Sequence, residues 1–364
     1  MKYIDEFRNK NLIKKLAEKI QTIMPAGNIN IMEVCGTHTQ SFFRFGLDGL
    51  LPSHLKLIAG PGCPVCVSPQ EYIDQAIELT QNKDTIILTF GDMLRIPGTK
   101  STLEKERAKK GNVRVVYSAL DSLLVARHNL GKKVIFLAVG FETTAPTIAL
   151  TIMRAKKENL KNLFFYSSLR LIPPVIDYLV RDRRLNLSGF LCPGHVSCVI
   201  GTKSYAFIPK RYKIGCCIAG FEPFDILEGI YFLLQQIINH KPCVQNQYLR
   251  VVMPQGNLKA KKIISRVFKV SDANWRGLGR IPRSGFKIKD EFWRFDAEKV
   301  FSINDKRYAM GDKLSRCRCG EILKGLISPL DCPLFSRTCK PDNPIGPCMV
   351  SSEGACNAYY RYKR

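Results

Sequence analysis

The sequence predicts an α/β protein made of two similar doubly wound parallel-sheet lobes facing a cleft, with a smaller cysteine-rich C-terminal domain. Three observations carry this. Short continuous apolar runs alternate with helical segments, the pattern of parallel strands covered on both faces. Glycine-bearing loops, most with Cys, His, Asp or Glu, follow six of the runs. Six of the 14 cysteines fall within the 40 residues from Cys317 to Cys356. The 364 residues exceed one ordinary core. At about 150 residues per domain, two or three domains are expected.

The elements follow in chain order. From Met1 to Met24, Ile13, Leu16, Ile20 and Ile23 recur at helical spacing beside Asp5, Glu6 and Glu18. That is an amphipathic helix rather than a secretory or transit segment. No run approaches the roughly 18 apolar residues of a membrane span. A cytoplasmic chain without membrane contact is the expectation. Strands are expected at Ile29–Val34, Leu55–Ala59, Thr85–Phe90, Val113–Tyr117, Val134–Val139, Leu163–Ser167, Gly189–Cys192 and Gly215–Ala219. Helices are expected at Ser41–Leu50, Gln70–Gln81, Ser118–Asn129, Pro146–Lys157, Pro173–Arg183 and Phe224–Asn239. Ala-Val-Gly-Phe-Glu-Thr (138–143) echoes Ile-Ala-Gly-Phe-Glu-Pro (218–223), and Pro-Gly-Cys-Pro-Val-Cys-Val (61–67) echoes Pro-Gly-His-Val-Ser-Cys-Val (193–199). Two similar lobes, 1–130 and 131–240, would explain both echoes. The alternation fades after His240, which places a third domain at 241–364.

Composition limits the chemistry. Apolar residues are 45% and charged residues 24%, a globular balance. The net charge of +25 is densest from Arg250 to Arg316, with 17 basic and 7 acidic residues. No block of like charges and no interleaved stacking aromatics accompany it. It reads as a solvated basic surface or a face for an acidic protein partner, with nucleic acid the disfavoured alternative. Cysteine at 14 of 364 residues is below the roughly 8–10% of a disulfide scaffold. A chain this long buries a core without staples. In a reducing compartment the cysteines are then metal ligands or redox groups.

Cysteine position sorts them. Cys35 follows the first strand and precedes the helix expected at Ser41–Leu50, where exposed amides favour thiolate. Thr37 and His38 follow. His38 can ligate, donate a hydrogen bond or shuttle a proton, and a satisfied structural histidine is the plain alternative. Cys63-Pro-Val-Cys66 is a C-x-x-C pair, a redox dithiol before a metal site or inert packing. Cys332, Cys339, Cys348 and Cys356 are spaced C-x6-C-x8-C-x7-C. That matches neither a zinc ribbon nor the common ferredoxin runs. The density still points to a metal, a four-iron cluster ahead of zinc, with buried free thiols as the alternative. Cys317 and Cys319 compete for the same positions, and Cys319 is the first substitute. Cys192, Cys198, Cys216, Cys217 and Cys243 read as buried hydrophobes. Glu142 and Glu222 occupy matching Gly-Phe-Glu loops, where helix capping by neighbouring residues is the bland reading. His195, after Pro-Gly, is either a site residue or a plain loop histidine. No nucleotide-binding glycine motif is present.

Taken together these loops resemble the HypD family of hydrogenase maturation factors. The resemblance runs through Met-Glu-Val-Cys-Gly-Thr-His-Thr (32–39), Gly-Pro-Gly-Cys-Pro-Val-Cys-Val (60–67), Gly-Phe-Glu-Thr-Thr-Ala-Pro (140–146), Pro-Gly-His-Val-Ser (193–197), Gly-Phe-Glu-Pro (220–223) and Gly-Pro-Cys-Met-Val-Ser-Ser-Glu-Gly-Ala-Cys (346–356). It covers nearly the whole chain. It implies a scaffold on which the Fe(CN)2CO unit of [NiFe]-hydrogenases is built. It implies a small HypC-type partner sharing the iron, cyanide delivery by a HypE–HypF pair, and the hydrogenase large subunit as indirect recipient. Cys35 would then be the iron thiolate, with His38 beside it. Cys63 and Cys66 would be a redox pair, and the C-terminal cysteines would hold a [4Fe–4S] cluster. A relay from cluster through dithiol to Cys35 requires the third domain to approach the cleft. The competing reading is an Fe–S thiol–disulfide oxidoreductase acting on a protein partner.

Overall fold

The computed structural model describes residues 2, 4–109, 111–303 and 316–363. The expected strands form β1 (Ile29–Glu33), β2 (Leu55–Ala59), β3 (Thr85–Thr89), β4 (Val113–Val115), β5 (Lys133–Gly140), β6 (Leu163–Leu169), β7 (Gly189–Pro193) and β8 (Gly215–Ala219). All pair in parallel. Their apolar runs are continuous because both faces are covered, and every residue of β3, β7 and β8 is buried. A ninth strand, β9 (Val244–Asn246), joins the edge beside β8. Its Gln and Asn conceal it from a hydrophobic pattern.

One sheet has the order β2-β1-β7-β8-β9 and the other β4-β3-β5-β6. Counted within each sheet, both begin 2-1-3-4, the doubly wound order. The two lobes are therefore similar, but the chain is not cut near Leu130. β3 and β5 stand on either side of that position and pair in one sheet. The second sheet is an insertion between β2 and β7 of the first. Sequence order misleads here because a strand pairs where register and burial allow, and β1 pairs with β7 across the whole insertion. Nor do the two sequence echoes relate equivalent strands. The Gly-Phe-Glu loops follow β5, third in its sheet, and β8, fourth in the other. The two Pro-Gly loops follow β2 and β7 of the same sheet.

The helices are α1 (Lys10–Ile23), α2 (Gly36–Arg44), α3 (Gln70–Leu79), α4 (Leu103–Ala108), α5 (Asp121–Arg127), α6 (Ala145–Lys157), α7 (Ile172–Leu179), α8 (Gly194–Ile200), α9 (Phe207–Tyr212), α10 (Pro223–Ile238), α11 (Leu258–Val267), α12 (Ala297–Val300), α13 (Cys319–Leu323) and α14 (Ala355–Tyr362). None is long and apolar enough to cross a membrane among the described residues. Helix α10 packs on β8 and buries Ile226, Leu227, Ile230, Leu233 and Leu234, each worth roughly 1.5–3 kcal/mol. Helix α2 begins at Gly36, five residues before the expected start, because extended Cys35 ends the strand segment and the polar Gly-Thr-His-Thr run is already helical.

Residues after 240 do not gather into one body. Strand β9 joins the first sheet. Helix α11 packs on α6, and α14 packs on α2. An antiparallel hairpin, β10 (Phe268–Trp275) and β11 (Gly279–Ile288), lies against β6 and α7. Its many charges hid it in the sequence. Residues 304–315 of the expected third domain lie outside the described residues. Trp275 fastens the hairpin to the second sheet. It is 2% exposed, donates from Nε1 to Ser284 Oγ at 2.8 Å, and stacks on Phe141 with centroids 6.1 Å apart.

Replacing Trp275 by Ala removes that anchor and leaves a buried cavity. Urea denaturation should show a loss of about 3–5 kcal/mol, and Trp275→Phe should recover part of it.

Candidate functional site

In a doubly wound sheet, ligands bind beyond the carboxyl ends of the strands where the strand order reverses. That point lies between β1 and β7 in one sheet and between β3 and β5 in the other. The loops after β1 and β7 carry Cys35, Thr37, His38 and His195, and those after β3 and β5 carry Asp92 and Glu142.

Glycines decide how closely the loops meet. A Cβ on Gly62 would lie 2.2 Å from Cys35 N and 2.4 Å from Cys35 Cα. Gly36 N also donates to Gly62 O at 3.0 Å. A Cβ on Gly36 would lie 2.3 Å from Glu353 O, and one on Gly354 2.2 Å from Cys348 O. The Cys35 loop, the C-x-x-C loop and the C-terminal segment thus touch backbone to backbone, at distances only glycine permits.

Cys35 is buried between two carboxyl groups. Its amide donates to Glu33 Oε2 at 2.9 Å, and Thr39 Oγ1 donates to Glu33 Oε1. Thr37 Oγ1 donates to Glu353 Oε1 at 2.7 Å. The expectation of a thiolate-favouring helix start fails. The amides of Thr37 and His38 do lower the thiol pKa, but burial, then Glu353 and Glu33, outweigh them and push it up to about 12. Burial also raises Glu33 and Glu353 above the usual carboxylate range. A thiol held protonated in this way releases its proton when a cation takes its place. Sequence reasoning missed Glu33 and Glu353. The available signal for Glu33 was a carboxylate inside an apolar strand.

His38 is fully buried. Its Nε2 faces the carbonyls of Ala219 at 3.2 Å and Gly220 at 2.9 Å, so Nε2 carries the proton. Nδ1 then presents a lone pair with no hydrogen-bond partner among the described residues. Burial lowers the pKa to about 4, so the ring is neutral at pH 7. Phe221 lies 4.8 Å from the His38 ring and stacks on His195 at 4.0 Å. The motifs of α2, α8 and the loop after β8 meet at this phenyl ring.

The matching glutamates have different fates. Glu222 caps α10 in a capping box with Asp225 and pairs with Arg8. Its geometry is that of a helix cap. Asp225 is also held by Arg250, at 2.8 and 2.5 Å. Glu142 is buried instead. Ile172 N donates to its Oε1 at 2.9 Å, while Oε2 has no partner among the described residues. Burial pushes its pKa up to about 8.

The cysteines form two connected groups. All 14 are free thiols. Cys66 contacts Cys63 and Cys348, Cys348 contacts Cys319, and Cys319 contacts Cys317; Cys66 N donates to Cys63 Sγ at 3.3 Å and Cys66 Sγ to Pro347 O at 3.8 Å. This chain joins the C-x-x-C pair to the C-terminal cysteines. Contact with the Cys319 and Cys66 thiols lowers the Cys348 pKa. Cys317, Cys319, Cys332, Cys339, Cys348 and Cys356 all line one apolar cavity with Ile322, Leu334, Phe335 and Met349. Among the described residues no three His, Cys, Asp or Glu side chains stand as a formed metal site. The donor set itself fits an iron–sulfur group, since six thiols face one cavity and four thiolates suffice. Cys192, Cys216 and Cys217 are buried in β7 and β8 as expected. Cys198, in α8, is only half-buried and Cys243 is exposed.

Comparison with known proteins gives one family. The model of HypD, described as the hydrogenase formation hypA family, matches residues 11–363. The hydrogenase maturation factor HypD of Escherichia coli is 42% identical over 371 residues, covering 100% of this chain and 99% of its own length. HypD of Azotobacter vinelandii is 43% identical over 372 residues, covering 100% and 97%. HypD2 of Bradyrhizobium diazoefficiens is 42% identical over 373 residues, with the same coverage.

Glu142 should make stability depend on pH. Its folded pKa of about 8 exceeds the ordinary 4.5, so between those values the folded chain keeps a proton that the unfolded chain has lost. Its contribution to stability therefore falls as pH rises through that window. Urea denaturation of Glu142→Gln should match the parent near pH 4 and exceed it by about a few kcal/mol above pH 8.

Proposed function

The chain belongs to the HypD family of hydrogenase maturation factors, and on that premise we propose that it holds iron at Cys35 while the Fe(CN)2CO unit is assembled. The observation that carries this reading is the contact of the Cys35–Gly36 segment with both the C-x-x-C loop and the C-terminal cysteine segment. Iron is the cargo. A soft thiolate suits a low-valent iron bearing strong-field ligands, and a HypC-type partner supplies a second thiolate. Cyanide arrives from a HypE–HypF pair, and the finished unit passes toward the hydrogenase large subunit.

The residues around Cys35 have distinct tasks. Glu33 and Glu353 accept or return the proton that leaves Cys35 as iron binds. Thr37 and Thr39 orient those carboxyl groups through their hydroxyls. Neutral His38, in the first turn of α2, offers an Nδ1 unpaired among the described residues, and Phe221 keeps that ring fixed against His195. Oxidation of Cys63 and Cys66 to a disulfide releases two electrons and two protons.

In this reading Cys332, Cys339, Cys348 and Cys356 would hold a [4Fe–4S] cluster, with Cys319 the first substitute, since all of them line the one cavity. Such a cluster stores one electron at a time.

Infrared and Mössbauer spectroscopy of the anaerobically purified complex with a HypC-type partner tests the proposal. Cyanide and carbonyl bands should be present and should vanish in Cys35→Ala; bands that survive would overturn the assembly role of Cys35. Glu353→Gln should weaken iron retention by about 10–100-fold, as loss of a supporting group does. After anaerobic reconstitution, Cys332→Ser, Cys339→Ser, Cys348→Ser and Cys356→Ser should each lose the cluster signal.

A further inference from the structure

One pocket outside the crevice reaches the thiol chain from solvent. It has a volume of about 420 Å³ and is floored by Cys317 and Cys319. Arg184, Arg276, Arg318 and Lys324 surround it, with Glu321 as the acid among its lining residues. Of the six C-terminal cysteines, Cys317 alone is not fully buried. Glycines clear the approach. A Cβ on Gly346 would lie 2.4 Å from Cys317 Sγ, and one on Gly277 2.3 Å from Gly320 Cα. Arg276 lines the pocket beside both floor thiols.

The charge is a rim, not an enclosing cradle. Arg184 pairs with Asp182 and Arg318 with Glu321, and positive charge still remains in excess. The Arg184 side chain is 68% exposed. Basic groups spread around a mouth match an opposing acidic surface, whereas a small anion needs donors converging on one point. This also gives part of the +25 charge a specific use.

We propose that this pocket is the docking site of a small acidic one-electron carrier protein, which meets the cysteine centre at Cys317. The proposal rests on the reading of that centre as redox-active. Each docking oxidises the carrier by one electron and reduces the centre by one. Two dockings, with two protons from solvent, convert one Cys63–Cys66 disulfide into two thiols. Complementary charge would steer the encounter and make it depend on salt.

Anaerobic calorimetric titration of the full-length protein tests this, with a [2Fe–2S] ferredoxin and a flavodoxin as probes. It is run on metal-free and iron–sulfur-reconstituted protein, at low and high salt. At least one probe should bind, more weakly at high salt, and the doubly reversed Arg184→Glu, Lys324→Glu variant should bind about tenfold or more weakly. Lys259→Glu, exposed on α11, should bind like the parent. Equal binding by the reversed variant with its circular dichroism unchanged, or no binding by either probe, overturns the docking site. Charge-dependent binding without reduction of the reconstituted protein supports the docking surface and refutes the redox reading of the centre.

Discussion

The approach of Gly62 to Cys35 governs the architecture of the site. A side chain at position 62 would occupy the space of the Cys35 backbone itself. The contact brings the end of β1 against the loop after β2, and Gly36 extends it to the C-terminal segment at Glu353. Three stretches far apart in sequence are thereby held at backbone distance. Side chains could not mediate such an approach, because each would add at least the width of a methylene. The candidate iron thiol, the dithiol and the cysteine cavity are joined by this packing.

Burial then sets the charge states. Cys35, Glu33, Glu353, His38 and Glu142 all lie in a low-dielectric region, and all shift toward their neutral forms. The site is quiet when empty: the Cys35 thiol keeps its proton, and the His38 imidazole does not take one. Arrival of a cation reverses the balance, since the charge of an ion is what makes a buried thiolate affordable. The thiol chain from Cys63 to Cys317 lies in the same dry region, and only its Cys317 end meets solvent. The protein therefore separates the buried Cys35 from the solvent-facing end of the thiol chain.

The sequence made the strands legible because parallel strands buried on both faces leave continuous apolar runs. It could not show that the β3–β6 sheet is inserted into the other sheet. The runs of β1 and β7 carry no mark of their mutual register. The β10–β11 hairpin was illegible for a different reason: one face is solvated, so its charges broke the apolar pattern. Among site residues, Cys35, His38, Cys63 and Cys66 stood out by type and spacing. Glu33 and Glu353 did not, since a lone carboxylate is common and its burial is not written locally. Glu142 and Glu222 share a motif but not a role, because one turns into the interior and the other meets Arg8.

By itself, then, the sequence determined the chemistry available: the thiols, the C-x-x-C pair, the loop histidines and the parallel α/β frame. Local spacing and hydrophobic period encode those directly. Tertiary structure alone decided which thiols meet. Cys348 joins Cys66, and Cys317 faces the solvent pocket, because glycine-permitted backbone contacts fold the C-terminal segment over the Cys35 loop. It also decided which carboxyl groups surround Cys35, since burial and proximity depend on the whole packed chain.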